Sequence, residues 1–367
     1  MAIPLPPNFL VDLSGVSHYS VDIRTYLVGQ TLPAFPVITG DPTMRRTISQ
    51  LAQHIPLCRA GSRLPSSIMA IAFLILPTLA HAQKEEAPKP AVKRTIADLQ
   101  YSEHKSCTLD FWKAAGDTPR PLHIHIHGGG WTGGDKTIGW SAAKFWLDHG
   151  VSHASINYRL TGETPLPAPV HDAAYAIQFI RSKAKEWNID PDRIVLTGGS
   201  AGACTSMWML FHDDLADPTS DDPVKHHSTR VTAAAVNAGQ VSIDPPQCQE
   251  WLGDGVLLHR MIWTSVGAKN MAEAWAKYEQ YKPLYQEFTP YNHLTKGDPP
   301  LLMTYGTDMS LPSKTAGHGI HHPVYGVKMK EKADKLGVEC HLLIPKHSKS
   351  DKYADANAFL LDKLGVE

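Results

Sequence analysis

From residue 107 onward, short apolar runs recur at intervals, each too short for a helix and rich in residues that suit a pleated, buried surface. Residues 107–112, 122–126, 151–157, 193–197, 231–236, 300–306 and 338–344 read as strands on this pattern. Between them the apolar period changes. Val170, Ala174, Ile177, Ile180, Ala184 and Trp187 recur at helical spacing, and helices are also expected directly after the strand at 193–197 and near residues 327–336 and 353–364. Strands alternating with helices predict an α/β fold, a mostly parallel twisted sheet with helices on both faces. Ligands of such sheets bind at the carboxyl ends of the strands.

The alternation lapses between residues 242 and 294, which we assign to a cap insertion over the site. Its aromatic stripe, Trp275, Tyr278, Tyr281 and Tyr285, reads first as helix packing and second as a substrate wall, with Pro283 expected to break or kink the helix. Upstream, residues 69–80 form an apolar stretch too short to span a bilayer. Arg59 and Arg63 precede it, and Ala80-His81-Ala82 supplies a small-residue cleavage pattern, so residues 44–82 read as a signal-peptide region. The expectation is a start at Met44 or Met69, with residues 1–43 an extension of the gene model. Residues 83–97 are then a charged Pro/Ala linker, and residues 98–367 a secreted or periplasmic domain with no stable membrane anchor.

Chemistry enters at Gly198-Gly199-Ser200-Ala201-Gly202, directly after a predicted strand. The G-x-S-x-G pattern suits a turn so tight that only small residues fit around the serine, with a helix beginning beneath its hydroxyl. A second motif, His127-Gly128-Gly129-Gly130-Trp131, follows the strand at 122–126. Backbone amides there can turn inward with no side chains in the way, ready for the oxyanion of an acyl-transfer intermediate.

With these two motifs in this order, the chain resembles the α/β-hydrolase superfamily. The nearest branch is the esterases and lipases that carry H-G-G-G-W with G-G-S-A-G, such as the hormone-sensitive-lipase-like and acetylxylan- or feruloyl-esterase-like groups. The resemblance runs from about Tyr101 to the C-terminus. It implies that Ser200 is the nucleophile and that the amides of Gly129, Gly130 and Ala201 hold the oxyanion.

A serine nucleophile needs a histidine to take its proton and a carboxylate to orient that histidine, in the chain order Ser, Asp/Glu, His. The predicted strand 300–306 ends in Gly306-Thr307-Asp308, which looks like the family's acid loop, so Asp308 is the expected acid. His347, just past the last predicted strand, is the expected base by position. His318, His321 and His322 are its competitors, read as loop or pocket-rim residues. Trp131 either lines the pocket or braces the glycine loop.

A chain 43% hydrophobic with formal net charge −1 has a large core and lacks the basic footprint of a nucleic-acid binder. Export would leave Cys107, Cys204, Cys248 and Cys340, whose pairing spacing cannot reveal. His123, His125 and His127 alternate along one strand, a spacing that can present imidazoles to zinc, but no further ligand motif follows. The reading is a secreted serine esterase acting on short-chain or carbohydrate-linked carboxylic esters, without cofactor or metal. The alternatives are a serine peptidase or arylformamidase on the same fold, a metal-dependent hydrolase, or a non-catalytic binding module.

Overall fold

The computed structural model describes residues 92–366. The expected N-terminal extension and signal-peptide region, and the expected linker up to residue 91, lie outside the described residues. Eight strands form one sheet: β1 (Ile96–Gln100), β2 (Thr108–Trp112), β3 (Arg120–Ile126), β4 (Ser152–Ile156), β5 (Ile189–Gly199), β6 (Ala233–Asn237), β7 (Leu301–Thr304) and β8 (Cys340–Leu343). Their order is β1-β2-β4-β3-β5-β6-β7-β8. The pairs β1–β2 and β2–β4 are antiparallel, and every pair from β4 across to β8 is parallel. This is the mostly parallel sheet expected from the alternation, in the α/β-hydrolase arrangement that the resemblance implied.

Both faces of the sheet are covered, as a parallel sheet requires. Ile194 and Leu196 of β5 face the helices Ala168–Ser182 and Ala201–Phe211, while Val195 between them packs with Trp146, Phe359 and Leu360 on the other face. Burying each such side chain contributes about 1.5–3 kcal/mol, which is why the short apolar runs commit to strands. The last helix, Ala356–Leu364, starts where Asp355 accepts the Ala358 amide at 2.9 Å, a side-chain cap.

The linker expected at residues 83–97 ends earlier than its composition suggests. Val92 accepts the Trp112 indole N–H at 2.9 Å, the Thr95 amide bonds to Phe111, and β1 begins at Ile96. The physical reason is a polar knot that sequence period cannot show. The fully buried Asp110 carboxylate accepts Arg94, Lys136, Trp140 Nε1 and the Asp98 amide, at 2.7 to 3.0 Å. The same knot pins the 3₁₀ stretch Lys136–Ala142 beside the ends of the central strands.

Between β6 and β7 the sheet is interrupted by short helices, among them Pro245–Leu252, Met271–Ala276 and Tyr278–Glu287. Pro283 lies inside the last of these, and the helix runs through it. The aromatic stripe serves packing here. Tyr285 is buried and donates to Ile262 O at 2.9 Å, and Tyr278 donates to Asp244 at 2.9 Å. All four cysteines of the described domain are buried free thiols.

Candidate active site

Ser200 sits between the end of β5 and the helix Ala201–Phe211 with φ 52° and ψ −123°, a left-handed conformation that costs a non-glycine residue energy. The neighbouring glycines are demanded by space. A Cβ on Gly198 would lie 2.5 Å from the Gly202 backbone, and one on Gly202 would lie 2.1 Å from Ile126 O. The close approach holds the start of the helix against the end of β3. The Ser200 amide donates to Asn237 O at 2.9 Å, tying the elbow to β6 as well.

The glycine loop after β3 is equally constrained. Gly129 has φ +106° and Gly130 φ +62°, both left-handed. His127 stacks on Tyr158 with ring centroids 4.3 Å apart, and the Tyr158 hydroxyl donates to His127 O at 2.6 Å. The amides of Gly129, Gly130 and Ala201 have no acceptor among the described residues. Gly128, Gly129 and Ser200 line one cavity of about 660 Å³ over the carboxyl ends of β3, β5 and β6.

Trp131 does not line that cavity. It is completely buried, its indole N–H donates to Thr205 Oγ1 at 3.0 Å, and its carbonyl accepts the Thr161 amide at 2.7 Å. It braces the loop, because an indole placed under the glycines finds both apolar surface and a hydroxyl partner there.

The histidine on Ser200 is His321. Its Nε2 lies 2.9 Å from Ser200 Oγ, and its Nδ1 lies 3.1 Å from Gly317 O. A carbonyl only accepts, so Nδ1 carries the proton and Nε2 presents its lone pair to the serine hydroxyl. Burial lowers the His321 pKa from its ordinary value, with the bond to Gly317 opposing the shift. The residue caps the C-terminus of the short helix Ala316–Ile320, whose N-terminus is closed by Thr315 accepting the His318 amide.

His347, the base expected from position, is not brought to Ser200. An antiparallel bridge joins Ile344 to Ser348 directly after β8, and His347 is exposed in the tight turn between them. That turn closes too soon for the imidazole to extend over the sheet. Asp308 is not brought to the histidine on Ser200 either. Its carboxylate is 65% exposed, accepts the Ser310 amide and hydroxyl at 3.0 and 2.6 Å, and has His318 as its nearest imidazole at 3.6 Å. Those Ser310 bonds hold its pKa below the usual value. His322 donates to Ser310 O and fastens the loop that carries Asp308. The orienting group on His321 is therefore a main-chain carbonyl. The signal in the sequence was His318-Gly319-Ile320-His321-His322, where Gly319 lets the short helix pack against Val256, whose backbone a Cβ would meet at 2.6 Å.

The strand histidines are engaged with one another. His123 Nδ1 lies 2.8 Å from His153 Nδ1, and Thr197 Oγ1 lies 2.7 Å from His123 Nε2 and 3.1 Å from His125 Nδ1. His127 bonds instead to its neighbour's carbonyl, Gly128 O. Among the described residues no group of three or more His, Cys, Asp or Glu side chains is placed to hold a metal ion.

Comparison with known proteins bears on the family and the fold. The BD-FAE family model matches residues 109–317, a span that contains Ser200 and Asp308 and stops short of His321. A probable isoprenylcysteine alpha-carbonyl methylesterase of Arabidopsis thaliana is 26% identical over 259 residues, 69% of this chain and 52% of its own length. The probable carboxylic ester hydrolase LipM of Mycobacterium tuberculosis is 28% identical over 224 residues, 58% of this chain and 48% of its own. The chain thus spans about half the length of these curated relatives. Among solved structures, a truncated carbohydrate esterase from gut microbiota shares the fold at a TM-score of 0.59 and 20% identity. That alignment covers 76% of this chain and 99% of the other.

Proposed function

We propose that this chain, which belongs to the BD-FAE family of the α/β-hydrolases, is a carboxylic ester hydrolase that works through a Ser200–His321 pair. The observation that carries the reading is the 2.9 Å contact between His321 Nε2 and Ser200 Oγ at a strained elbow, with the proton already held on the far nitrogen. A neutral imidazole in that tautomer is the form a general base needs. The ester-hydrolase names of both curated relatives support the reading.

In the first half-reaction Ser200 Oγ attacks the ester carbonyl carbon while its proton passes to His321 Nε2. The carbonyl oxygen becomes an oxyanion, held by the amides of Gly129, Gly130 and Ala201. When the tetrahedral intermediate collapses, the carbon–oxygen bond to the alcohol breaks and the alcohol leaves with the proton from His321. Water then attacks the acyl-enzyme, giving its proton to His321 in turn, and the acid is released as Ser200 recovers its proton. Among the described residues the Gly317 carbonyl dipole is what stabilises the imidazolium formed in each half, so the proposal is a dyad rather than a Ser-His-Asp triad. Short-chain esters suit the cavity of about 660 Å³. Export belongs to the proposal on the strength of residues 69–82, and a secreted chain beginning near Gln83 is its check.

The test is labelling with a fluorophosphonate together with hydrolysis of p-nitrophenyl esters from acetate to palmitate. Label on Ser200 and turnover of the short esters are expected, both lost in His321→Ala. Absence of label with no turnover of any ester overturns the reading.

A further inference from the structure

His125 lines the same cavity as Ser200 but has no part in the acyl transfer. Its Nε2 is buried and has no partner among the described residues. Nearly every buried polar atom finds a partner in a folded protein, so an orphan at a cavity wall calls for a reason.

The protonation of this nitrogen follows from the bonds behind it. His153 Nε2 lies 3.0 Å from Gly139 O, a pure acceptor, so the His153 proton is on Nε2 and its Nδ1 accepts. His123 therefore donates from Nδ1 across the 2.8 Å contact, and its own Nε2 accepts. The Thr197 hydroxyl supplies that donation at 2.7 Å and accepts in turn from His125 Nδ1–H at 3.1 Å. The last ring in the array is thus fixed with a bare lone pair on Nε2. Burial keeps all three imidazoles neutral, with the pKa of His125 lowered to about 4 and that of His153 to about 3.

The protein fills two sides of the ring and also covers Nε2, so a hydroxyl reaching that nitrogen from the cavity displaces the atoms over it. Gly139 backs the Cγ–Cδ2 edge so closely that a Cβ there would lie 2.8 Å from Cδ2, and Thr197 occupies Nδ1. Glycines at 128, 129, 198 and 199 line the cavity that His125 and Ser200 share, together with Ile138, Val236, Asn237, Thr304 and His321. His125 pairs in register with Thr197, three residues before Ser200, which puts the two groups on the order of 10 Å apart along the strand direction.

We propose that His125 is a specificity-determining residue whose Nε2 accepts a hydrogen bond from a hydroxyl of the bound ester, several bonds removed from the reacting carbonyl. The assignment rests on the ester-hydrolase reading and adds the chemistry that the cavity selects: esters bearing a hydroxyl donor over their alkyl isosteres. A site built to satisfy a donor discriminates against the analogue that lacks it, because the buried acceptor is then left unpaired.

The experiment compares ω-hydroxyalkyl acetates, from hydroxyethyl to hydroxyoctyl, with the alkyl acetates of matching length. The wild-type protein should favour the hydroxylated member by about tenfold or more in kcat/KM at one chain length. His125→Phe should abolish that preference, chiefly by raising KM for the hydroxylated member toward that of its alkyl isostere. Thr197→Val, which frees the His125 tautomer without touching the ring, should weaken the preference too, and it serves if the phenylalanine variant does not fold. A wild-type protein that shows no preference at any length, or a preference that survives in His125→Phe, overturns the proposal and leaves the esterase reading intact. A wild-type protein that cleaves none of these acetates overturns the esterase reading itself.

Discussion

His321 Nε2 lies 2.9 Å from Ser200 Oγ across 121 residues of chain, and the Gly317 carbonyl holds the imidazole proton 3.1 Å away on the opposite nitrogen. Removing either member of a unit that transfers one proton should cost about the same as removing both. We expect Ser200→Ala and His321→Ala each to lower kcat for p-nitrophenyl acetate by roughly 10³-fold or more, with Tm within a few degrees of wild type. The exposed His347 makes no contact with the nucleophile, so His347→Ala should retain near-wild-type kcat. Steady-state kinetics on the three variants, beside thermal melts, decides which histidine is the base.

Asp308 tests the dyad. An aspartate that orients a catalytic histidine is worth about 10⁴ in kcat when replaced by asparagine. Here the carboxylate faces solvent and bonds to Ser310, so Asp308→Asn should change kcat by less than about threefold. A loss approaching 10⁴ would mean that the loop carrying Asp308 swings onto His321 in the working enzyme.

The pH profile follows from the protonation state of His321. The base must be neutral, and burial lowers its pKa below the ordinary 6.5. Activity should be lost as pH falls through that depressed value, so the acid limb of kcat/KM should have its midpoint below 6.5. Titration of p-nitrophenyl acetate hydrolysis from pH 4 to 8 measures it, and a midpoint above 6.5 would contradict the assignment.

Stability should also fall in acid, for a different set of groups. His125 and His153 are buried neutral, with pKa values of about 4 and about 3 against 6.5 in the unfolded chain. Below 6.5 the unfolded state binds protons that the folded state refuses, so stability is complete above 6.5 and declines toward pH 3. Denaturant melts across that range should show the unfolding midpoint dropping with pH. In His153→Phe the decline should be shallower.

The knot around Asp110 should be costly to break from one side. With Lys136 only 5% exposed, Asp110→Ala leaves its ammonium with Asp98 alone and takes the shared acceptor from Arg94 and Trp140, a loss of up to about 3–5 kcal/mol. A double variant, Asp110→Leu with Lys136→Met, removes both charges and should recover much of that loss. Chemical denaturation of the single and double variants checks the sign of the coupling.

Much of the site was written locally in the chain. The elbow around Ser200 and the loop at Gly129 and Gly130 are backbone conformations of a few consecutive residues, and their glycines are needed where another backbone approaches within a bond length or two of a Cβ. Likewise the alternation of apolar runs predicted the sheet and its covering helices, because side-chain period and burial are linked along a single element. Trp131 could be read either way from sequence, since lining a pocket and bracing a loop both ask for a large amphipathic ring. Its burial against Thr205 decided between them.

The sequence by itself determined the parallel sheet, the tight turn at Ser200 and the glycine loop, since each is set by residues that are neighbours in the chain. Only the tertiary structure decided the base and its orienting group. Five histidines follow β7, and which of them meets Ser200 depends on how two loops close. The turn after β8 bridges Ile344 to Ser348 and keeps His347 at the surface, while the short helix begun by Thr315 delivers His321 and aligns it on its own carbonyl. Loop closure is settled by contacts between distant segments, which no local pattern of residues encodes.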